Sequence, residues 1–240
     1  MPQQHISQMP RLGTLVSSLD GHQRVNLHCR VVVLGAAKVG KTAIVEQFLY
    51  DAFPVLHSAT VEQLYRAEYQ VRGTGSLTLD ILDTSGSYEF PAMRQLAIKS
   101  GDAFILVFSL DDYETFEEVR RLRELILELK STDNNDNQPM IPICVVGNKC
   151  DFDDKRVIRK EVAESVICLD WENGYVECSA KENQNVVKIF QELMIQARVP
   201  YDVGPAIANG KPRRSSLPEC PISPTVKDKR MPKRNSCAVS

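Results

Sequence analysis

The chain of 240 residues lacks several features that would mark a specialised class of protein. It has no run of 18 apolar residues, so the sequence predicts no membrane-spanning helix. Its seven cysteines form no C-x-x-C pair, which argues against a zinc site and a disulfide framework. The formal net charge is only −2, so nucleic acid is not expected as a partner.

Charge is present, but it is divided unevenly along the chain. Residues 203–240 carry eight Lys or Arg and two acidic residues, so this segment is +6 and residues 1–202 are −8. The same segment holds six of the 13 prolines and no aromatic residue, which leaves little apolar surface to bury. We predict a flexible N-terminal extension over 1–27, a folded domain over 28–202 and a flexible basic tail over 203–240.

Strand and helix patterns alternate through the folded domain. The apolar runs at 31–35, 103–110 and 141–147 are typical of strands covered on both faces, whereas 63–71 alternates like a half-buried strand. Two further strands are predicted at 76–83 and 174–178, and helices at 42–50, 112–130, 159–169 and 183–198. This order predicts an α/β fold of three layers, with a mostly parallel six-stranded sheet flanked by about five helices.

The first strand runs directly into a glycine-rich loop that matches the phosphate-binding pattern G-x-x-x-x-G-K-[ST]. The residues of this loop are Gly35, Ala36, Ala37, Lys38, Val39, Gly40, Lys41 and Thr42. Glycines let the backbone wrap an anion at a helix start, so that several N–H groups converge on the phosphates. The Lys41 ammonium would reach the β- and γ-phosphates, and the Thr42 hydroxyl would coordinate Mg²⁺. The loop therefore indicates a fold of the P-loop NTPase type.

Asp83 ends a later strand and is followed by Thr84, Ser85 and Gly86. An acid at the end of a strand beside a phosphate loop can hold Mg²⁺ through a water molecule. The Gly86 N–H could approach a γ-phosphate at a point where any side chain would clash. These residues complete a predicted site for a triphosphate and its metal.

The motif Asn148-Lys149-Cys150-Asp151 follows another strand and favours guanine as the base. The Asp151 carboxylate can accept two parallel N–H bonds from guanine, a pair that adenine does not offer. The Lys149 stem can pack on the base, and Asn148 can tie neighbouring loops together. A backbone N–H in the segment Ser179-Ala180-Lys181 could meet the guanine O6. A P-loop kinase or ATPase is disfavoured by this motif.

The ordered series GAAKVGKT, Thr60, DTSG, NKCD and SAK resembles the small GTPases of the Ras superfamily over residues 28–200. Lys38 and the segments 90–96 and 104–112 are most similar to the Dexras/Rhes branch. The resemblance implies a molecular switch that binds GTP or GDP with Mg²⁺, hydrolyses GTP and signals through two switch loops, the second over 84–96. It also implies effector proteins, an exchange factor, activator proteins and a link to heterotrimeric G-protein signalling as partners.

The resemblance assigns site residues by position. Phe53 matches an aromatic residue that packs on guanine, and Thr60 matches the first-switch threonine that senses Mg²⁺ and the γ-phosphate. The implied guanine site comprises Phe53, Asn148, Lys149, Asp151, Ser179, Ala180 and Lys181. The implied metal site comprises Thr42, Thr60 and, through water, Asp83. The implied effector region comprises Thr60, Val61, Glu62, Gln63, Leu64 and Tyr65.

Two departures from the family pattern predict slow hydrolysis. Ser87 follows DxxG where most Ras-type proteins place a glutamine that orients the attacking water, and its hydroxyl is too short to reach the same point. Ala37 stands where many relatives have Gly, and its methyl group would crowd that glutamine or an arginine finger from an activator. No catalytic residue is assigned with Ser87 in this place. An alternative is a constitutively GTP-loaded scaffold with negligible hydrolysis.

The chain ends in Cys237-Ala238-Val239-Ser240, which fits the C-a-a-X pattern for a farnesyl group on Cys237. A second signal is needed for stable anchoring, and the basic segment 227–234 could supply it at an anionic leaflet. We expect the protein on the cytoplasmic face of the plasma membrane. Palmitoylation of Cys220 and phosphorylation of Ser216, which follows two arginines, are further hypotheses.

Overall fold

The computed structural model describes residues 13–17, 24–54, 60–71, 75–86, 91–131, 140–198 and 213–214. The strands in this part of the chain are β1 (Gly13–Ser17), β2 (Arg24–Gly35), β3 (Glu62–Val71), β4 (Gly75–Thr84), β5 (Ala103–Ser109), β6 (Ile143–Asn148), β7 (Gly174–Glu177) and β8 (Arg213–Arg214). The α-helices are α1 (Lys41–Tyr50), α2 (Pro91–Ser100), α3 (Tyr113–Lys130), α4 (Lys160–Glu164) and α5 (Val186–Gln196).

The strands form one sheet in the order β7-β6-β5-β2-β4-β3-β8, with β1 paired to β2 beside this path. Pairs β2–β4, β2–β5, β5–β6 and β6–β7 are parallel, whereas β3 runs antiparallel to β4. Strands β2 to β7 are the predicted six-stranded, mostly parallel sheet, and five helices flank it, so the predicted fold class is confirmed. The strands β1 and β8 are short antiparallel additions to this sheet.

Hydrophobic residues fill the space on both faces of the sheet. One core joins alternate residues of the strands to α1 and α5, and Phe48 of α1 stacks on Phe190 of α5. The other core joins the opposite strand residues to α2, α3 and α4, and it includes Phe104, Phe108 and Phe116. Every residue of β5 and β6 is buried, because helices cover these central strands on both sides. The predicted three-layer arrangement is therefore present.

The structure extends or changes several predicted elements. Strand β2 begins at Arg24, seven residues before the predicted apolar run, and pairs with β1 from His28 back to Arg24. The helix predicted over 159–169 begins as α4 and continues as a π-helix, Ser165–Asp170. Helix α2 was not predicted, because only Ala97 and Ile98 of its ten residues are buried. None of the helices in the described ranges is long and apolar enough to cross a bilayer.

Candidate functional site

The phosphate loop joins the end of β2 to the start of α1, and both of its glycines are required by their surroundings. Gly35 has φ +147°, and a Cβ atom there would lie 2.1 Å from the Val107 carbonyl oxygen of β5. Gly40 has φ +97°, and a Cβ atom there would lie 2.3 Å from Asn148 Nδ2. Both positions combine a backbone conformation that favours glycine with a lack of space. The pattern G-x-x-x-x-G therefore has a structural cause here.

The Lys41 side chain is buried beneath this loop. Its Nζ donates hydrogen bonds to the carbonyl oxygens of Gly35 at 3.0 Å and Ala36 at 2.8 Å. Burial lowers the pKa of the Lys41 ammonium to about 8, and the carboxylate of Asp83 opposes this shift. A polyphosphate would add negative charge beside the ammonium and favour its charged form. The Lys41 ammonium is therefore placed to bind an anionic ligand.

Thr42, Thr60 and Asp83, predicted to hold the metal, lie together although they come from three segments. Thr42 Oγ1 donates to Asp83 Oδ2 at 2.5 Å and lies 2.9 Å from Thr60 Oγ1. Asp83 is fully buried, and its other oxygen, Oδ1, has no hydrogen-bond partner among the described residues. Burial also raises the pKa of the Asp83 carboxyl above its ordinary value. An unsatisfied carboxylate oxygen beside two hydroxyls fits Mg²⁺, which prefers oxygen ligands and retains waters.

Gly86 lies directly against the phosphate loop. A Cβ atom on Gly86 would lie 2.4 Å from Ala37 Cα and 2.5 Å from Ala37 N. The backbone after Asp83 therefore meets the loop at Ala37, where only glycine fits. Ser87, the next residue, lies outside the described residues.

Asn148 at the end of β6 joins two of the predicted loops. Its Nδ2 donates to the Val39 carbonyl of the phosphate loop at 2.8 Å, and its Oδ1 accepts from the Ala180 N–H at 3.1 Å. The side chain is buried, so both bonds are shielded from water. The Ala180 N–H, a candidate donor to guanine O6, is thus engaged within the protein. Ser179 is buried as well, and its Oγ accepts from the Glu182 N–H at 3.0 Å.

The other residues predicted to bind guanine lie around Asn148 and have more exposed side chains. Lys149 has φ +68°, and its Nζ lies 3.4 Å from Asp111 Oδ1. Asp151 is half-buried and Lys181 is exposed, with the Lys181 ammonium 5.9 Å from the Phe152 ring centre. Phe53 follows the end of α1 and is 44% exposed. Part of its side chain is thus open to solvent.

Two polar residues that sequence reasoning missed also shape this region. Asp111 directs Lys149 and follows β5, so the rule that ligand residues follow strand ends could have found it. Asn183 Nδ2 donates to Asp51 Oδ1 at 2.7 Å and joins the loop after β7 to the segment that carries Phe53. No sequence signal marks this second contact.

The predicted effector region runs from Thr60 into the first four residues of β3. Val61 is 78% exposed, Glu62 and Gln63 are exposed, and Leu64 is half-buried. Tyr65 is only 6% exposed, and its ring lies near that of Tyr50. Tyr65 therefore belongs to the core and not to the predicted effector surface, because the alternation of side chains along β3 turns it inward. Cys220, Cys237, Ser216 and the segment 87–90 of the second switch lie outside the described residues.

Comparison with known proteins agrees with this geometry. The model of the Ras family matches residues 30–198. GTP-binding protein Rhes from Homo sapiens, Mus musculus and Rattus norvegicus is in each case 44% identical over 181 residues, which cover 74% of this chain and 68% of the relative. The matched span includes the phosphate loop, Asp83 and the Asn148 motif. The chain belongs to the Ras family of small GTPases, in the branch that contains Rhes, and it is a GTP-binding protein that hydrolyses GTP.

Proposed function

We propose that this chain is a membrane-anchored switch that hydrolyses GTP slowly and signals through residues 60–64 and 84–96. The contact that carries the proposal is the 2.9 Å approach of Thr60 Oγ1 to Thr42 Oγ1. It links the segment that leads into β3 to the phosphate loop. A ligand held by Thr42 would therefore bias the conformation of the effector region.

The residues of the site divide the work of holding the nucleotide. Lys41 would bind the phosphates, while the hydrogen bonds of Asn148 hold the phosphate loop and the Ala180 loop together. Thr42, Thr60 and Asp83 would hold Mg²⁺, which neutralises phosphate charge when bound. Loss of the γ-phosphate would remove a partner from Thr60 and from the Gly86 N–H, so both switch segments would be released together.

Slow hydrolysis is supported by the residues at positions 87 and 37. A serine at position 87 cannot place a water molecule as a glutamine does. Gly86 packs closely on the Ala37 backbone, so the residue before position 87 lies against the loop residue that carries a methyl group where many relatives have none. The chain binds GTP with family residues but lacks the family's usual means of orienting the attacking water.

Single-turnover hydrolysis of bound GTP tests this part of the proposal. We expect Ser87→Gln to raise the rate at least about tenfold, and more when combined with Ala37→Gly. Ser87→Ala is the matched control and should leave the slow rate unchanged. A wild-type rate equal to that of a Ras-family protein with glutamine at this position would contradict the proposal.

A constitutively GTP-loaded scaffold is the second candidate, and the same residue, Ser87, favours it. The nucleotide content of freshly purified protein, followed over hours, separates the two. A switch shows conversion of GTP to GDP, whereas a scaffold retains GTP.

Membrane anchoring is proposed from the sequence of the tail. Cys237 in a C-a-a-X pattern would carry a farnesyl group, and the basic segment 227–234 would bind anionic lipid. The cytoplasmic face of the plasma membrane is the proposed location. Effectors, exchange factors, activators and a link to heterotrimeric G-protein signalling are proposed partners.

A further inference from the structure

Strand β3 has one edge that the described residues of the body leave uncovered. All ten residues of β3 pair with β4 on the inner side. On the outer side, within the described part of the chain, β3 pairs only with β8, a two-residue strand from the tail. The register sets Arg214 opposite Ala67 and Arg213 opposite Glu68. The remaining length of β3 is an open edge in the described structure.

An open sheet edge offers unpaired N–H and C=O groups to any extended chain. Partners that recognise such an edge add a strand to it and gain main-chain hydrogen bonds. Residues 62–64 of the proposed effector region lie on this same strand, and Leu64 is three residues before Ala67, the first position that β8 covers. An added strand that ran along β3 from the effector region would meet the tail.

We propose that the tail segment around Arg213 and Arg214 masks the β3 edge and competes with an extended polypeptide partner for it. The observed register of β8 on β3 is sufficient support for the pairing itself. The consequence for signalling rests on the proposed function, because it assumes that partner proteins bind to β3.

Charge favours this occupant. Arg213 stands opposite Glu68, and the tail as a whole is +6 beside a body of −8. Residues 199–212 connect the end of the body to β8, and 14 residues can span up to about 50 Å. A tether of this length keeps the tail at an effective concentration in the millimolar range. A short strand can therefore occupy the edge without a large interface.

Pro212 limits how far β8 can pair with β3 on one side. Pro212 precedes Arg213 and has no N–H, so it cannot donate to β3. It also favours an extended conformation in the residue before it. The pairing of β8 with β3 therefore cannot gain a hydrogen bond from the N–H of residue 212. A partner strand that pairs with more of β3 can displace such a short contact.

Hydrogen exchange of the full-length, GDP-bound chain tests the pairing. Arg214→Pro removes an N–H group from β8. We expect exchange of the amides in residues 66–69 that point away from β4 to rise about tenfold, while β5 and β6 stay unchanged. Ala208→Pro, in the connecting segment, is the matched control and should leave residues 66–69 protected. Equal exchange in the wild type and Arg214→Pro would overturn the proposal.

A charge exchange tests the register. Arg213→Glu places an acid opposite Glu68 and should raise exchange in residues 66–69, and adding Glu68→Arg to this variant should restore protection. Failure of the double variant to restore it would overturn the assigned register. Bound nucleotide measured on the same samples reports on the proposed function separately, since loss of nucleotide with intact edge protection would count against the switch alone.

Discussion

At the scale of single residues, Asn148 has the widest influence on the site. Its amide spans the phosphate loop and the loop after β7, and it is buried while doing so. Because a buried group that loses its partner keeps the full cost of desolvation, the site depends on both halves of this amide. Base recognition and phosphate binding are thus joined through one side chain.

We expect Asn148→Ala to lower the free energy of unfolding by about 2–4 kcal/mol and to weaken GTP binding, because it leaves Val39 O and Ala180 N–H unpaired. Asn148→Asp keeps the acceptor and should cost less. Denaturant unfolding and a GTP-binding titration measure the two effects. Asn183→Ala, which removes the exposed bond to Asp51, is the control and should cost below about 1 kcal/mol. Equal losses in the Asn148→Ala and Asn183→Ala variants would refute this role.

Glu177 carries a pH-dependent part of the stability. Burial would raise its pKa, but two hydrogen bonds from Arg156, at 2.9 and 2.8 Å, and one from Tyr175 hold the pKa below its ordinary value. A lowered folded-state pKa means that the stabilisation is complete above the ordinary pKa near 4.5 and is lost as pH falls through the folded value.

Glu177→Gln should therefore destabilise the fold by about 1–3 kcal/mol at pH 7, because it removes the charge from a bidentate pair. The difference from wild type should shrink at the lowest pH at which the fold persists. Urea unfolding at a series of pH values measures this, and Glu182→Gln, which removes a carboxylate from an exposed ion pair with Lys181, is the matched control. A difference that is constant with pH would contradict the assignment.

At the scale of elements, the sequence predicted the parts of the fold that are buried on both sides. The continuous apolar runs at 31–35, 103–110 and 141–147 lie in β2, β5 and β6, because burial on two faces leaves no room for polar residues. The loops that follow β2 and β6 carry the predicted phosphate loop and the Asn148 motif. Fold and site were predictable for the same reason, since ligand loops follow strand ends.

Elements with few buried residues escaped prediction. Helix α2 buries only two residues, and β8 has only two residues in all, so neither carries a periodic apolar pattern. The start of β2 alternates polar and apolar residues, and its pairing depends on β1 and β4, which lie elsewhere in the chain. The turn of Tyr65 into the core and the bond between Asn183 and Asp51 depend likewise on tertiary contacts.

Helix α5 closes the core beside α1 and offers a test at this scale. Phe190 is fully buried and stacks on Phe48 with ring centres 3.6 Å apart. We expect Phe190→Ala to lower the free energy of unfolding by about 3–5 kcal/mol through the cavity it leaves. Ile195→Ala on the same helix, where the side chain is 69% exposed, should change it by less than about 0.5 kcal/mol. Denaturant unfolding compares them, and equal effects would contradict this packing.

At the scale of the whole molecule, a net charge of −2 conceals an acidic body and a basic tail. Opposite charges on tethered parts attract each other, but an anionic membrane would draw the tail away from the body. Both attractions weaken with salt. The tail is therefore expected to divide its time between β3 and the membrane, with lipid composition setting the balance.

Vesicles that contain anionic lipid test the membrane side of this balance. For the farnesylated chain, Lys233→Gln with Arg234→Gln should lower the partition constant roughly 25-fold at low salt, because each charge contributes about 1 kcal/mol. The loss should shrink in high salt. Lys160→Gln with Lys188→Gln removes the same charge from the body and serves as the control. Equal losses from the tail and body variants would show that the tail has no special part in membrane binding.

The parallel pairing of the central strands also bears on synthesis of the protein. Strand β2 pairs with β5, β5 with β6, and β6 with β7. In each of these pairs the ribosome makes the second strand long after the first. Closing such long loops is slow and costs entropy. The phosphate loop is translated early, but Asn148 and Ala180, which complete its contacts, leave the ribosome only near the end of the body. A nascent chain can capture its nucleotide only after β7 has emerged, so the cell makes most of this domain before its ligand can stabilise it.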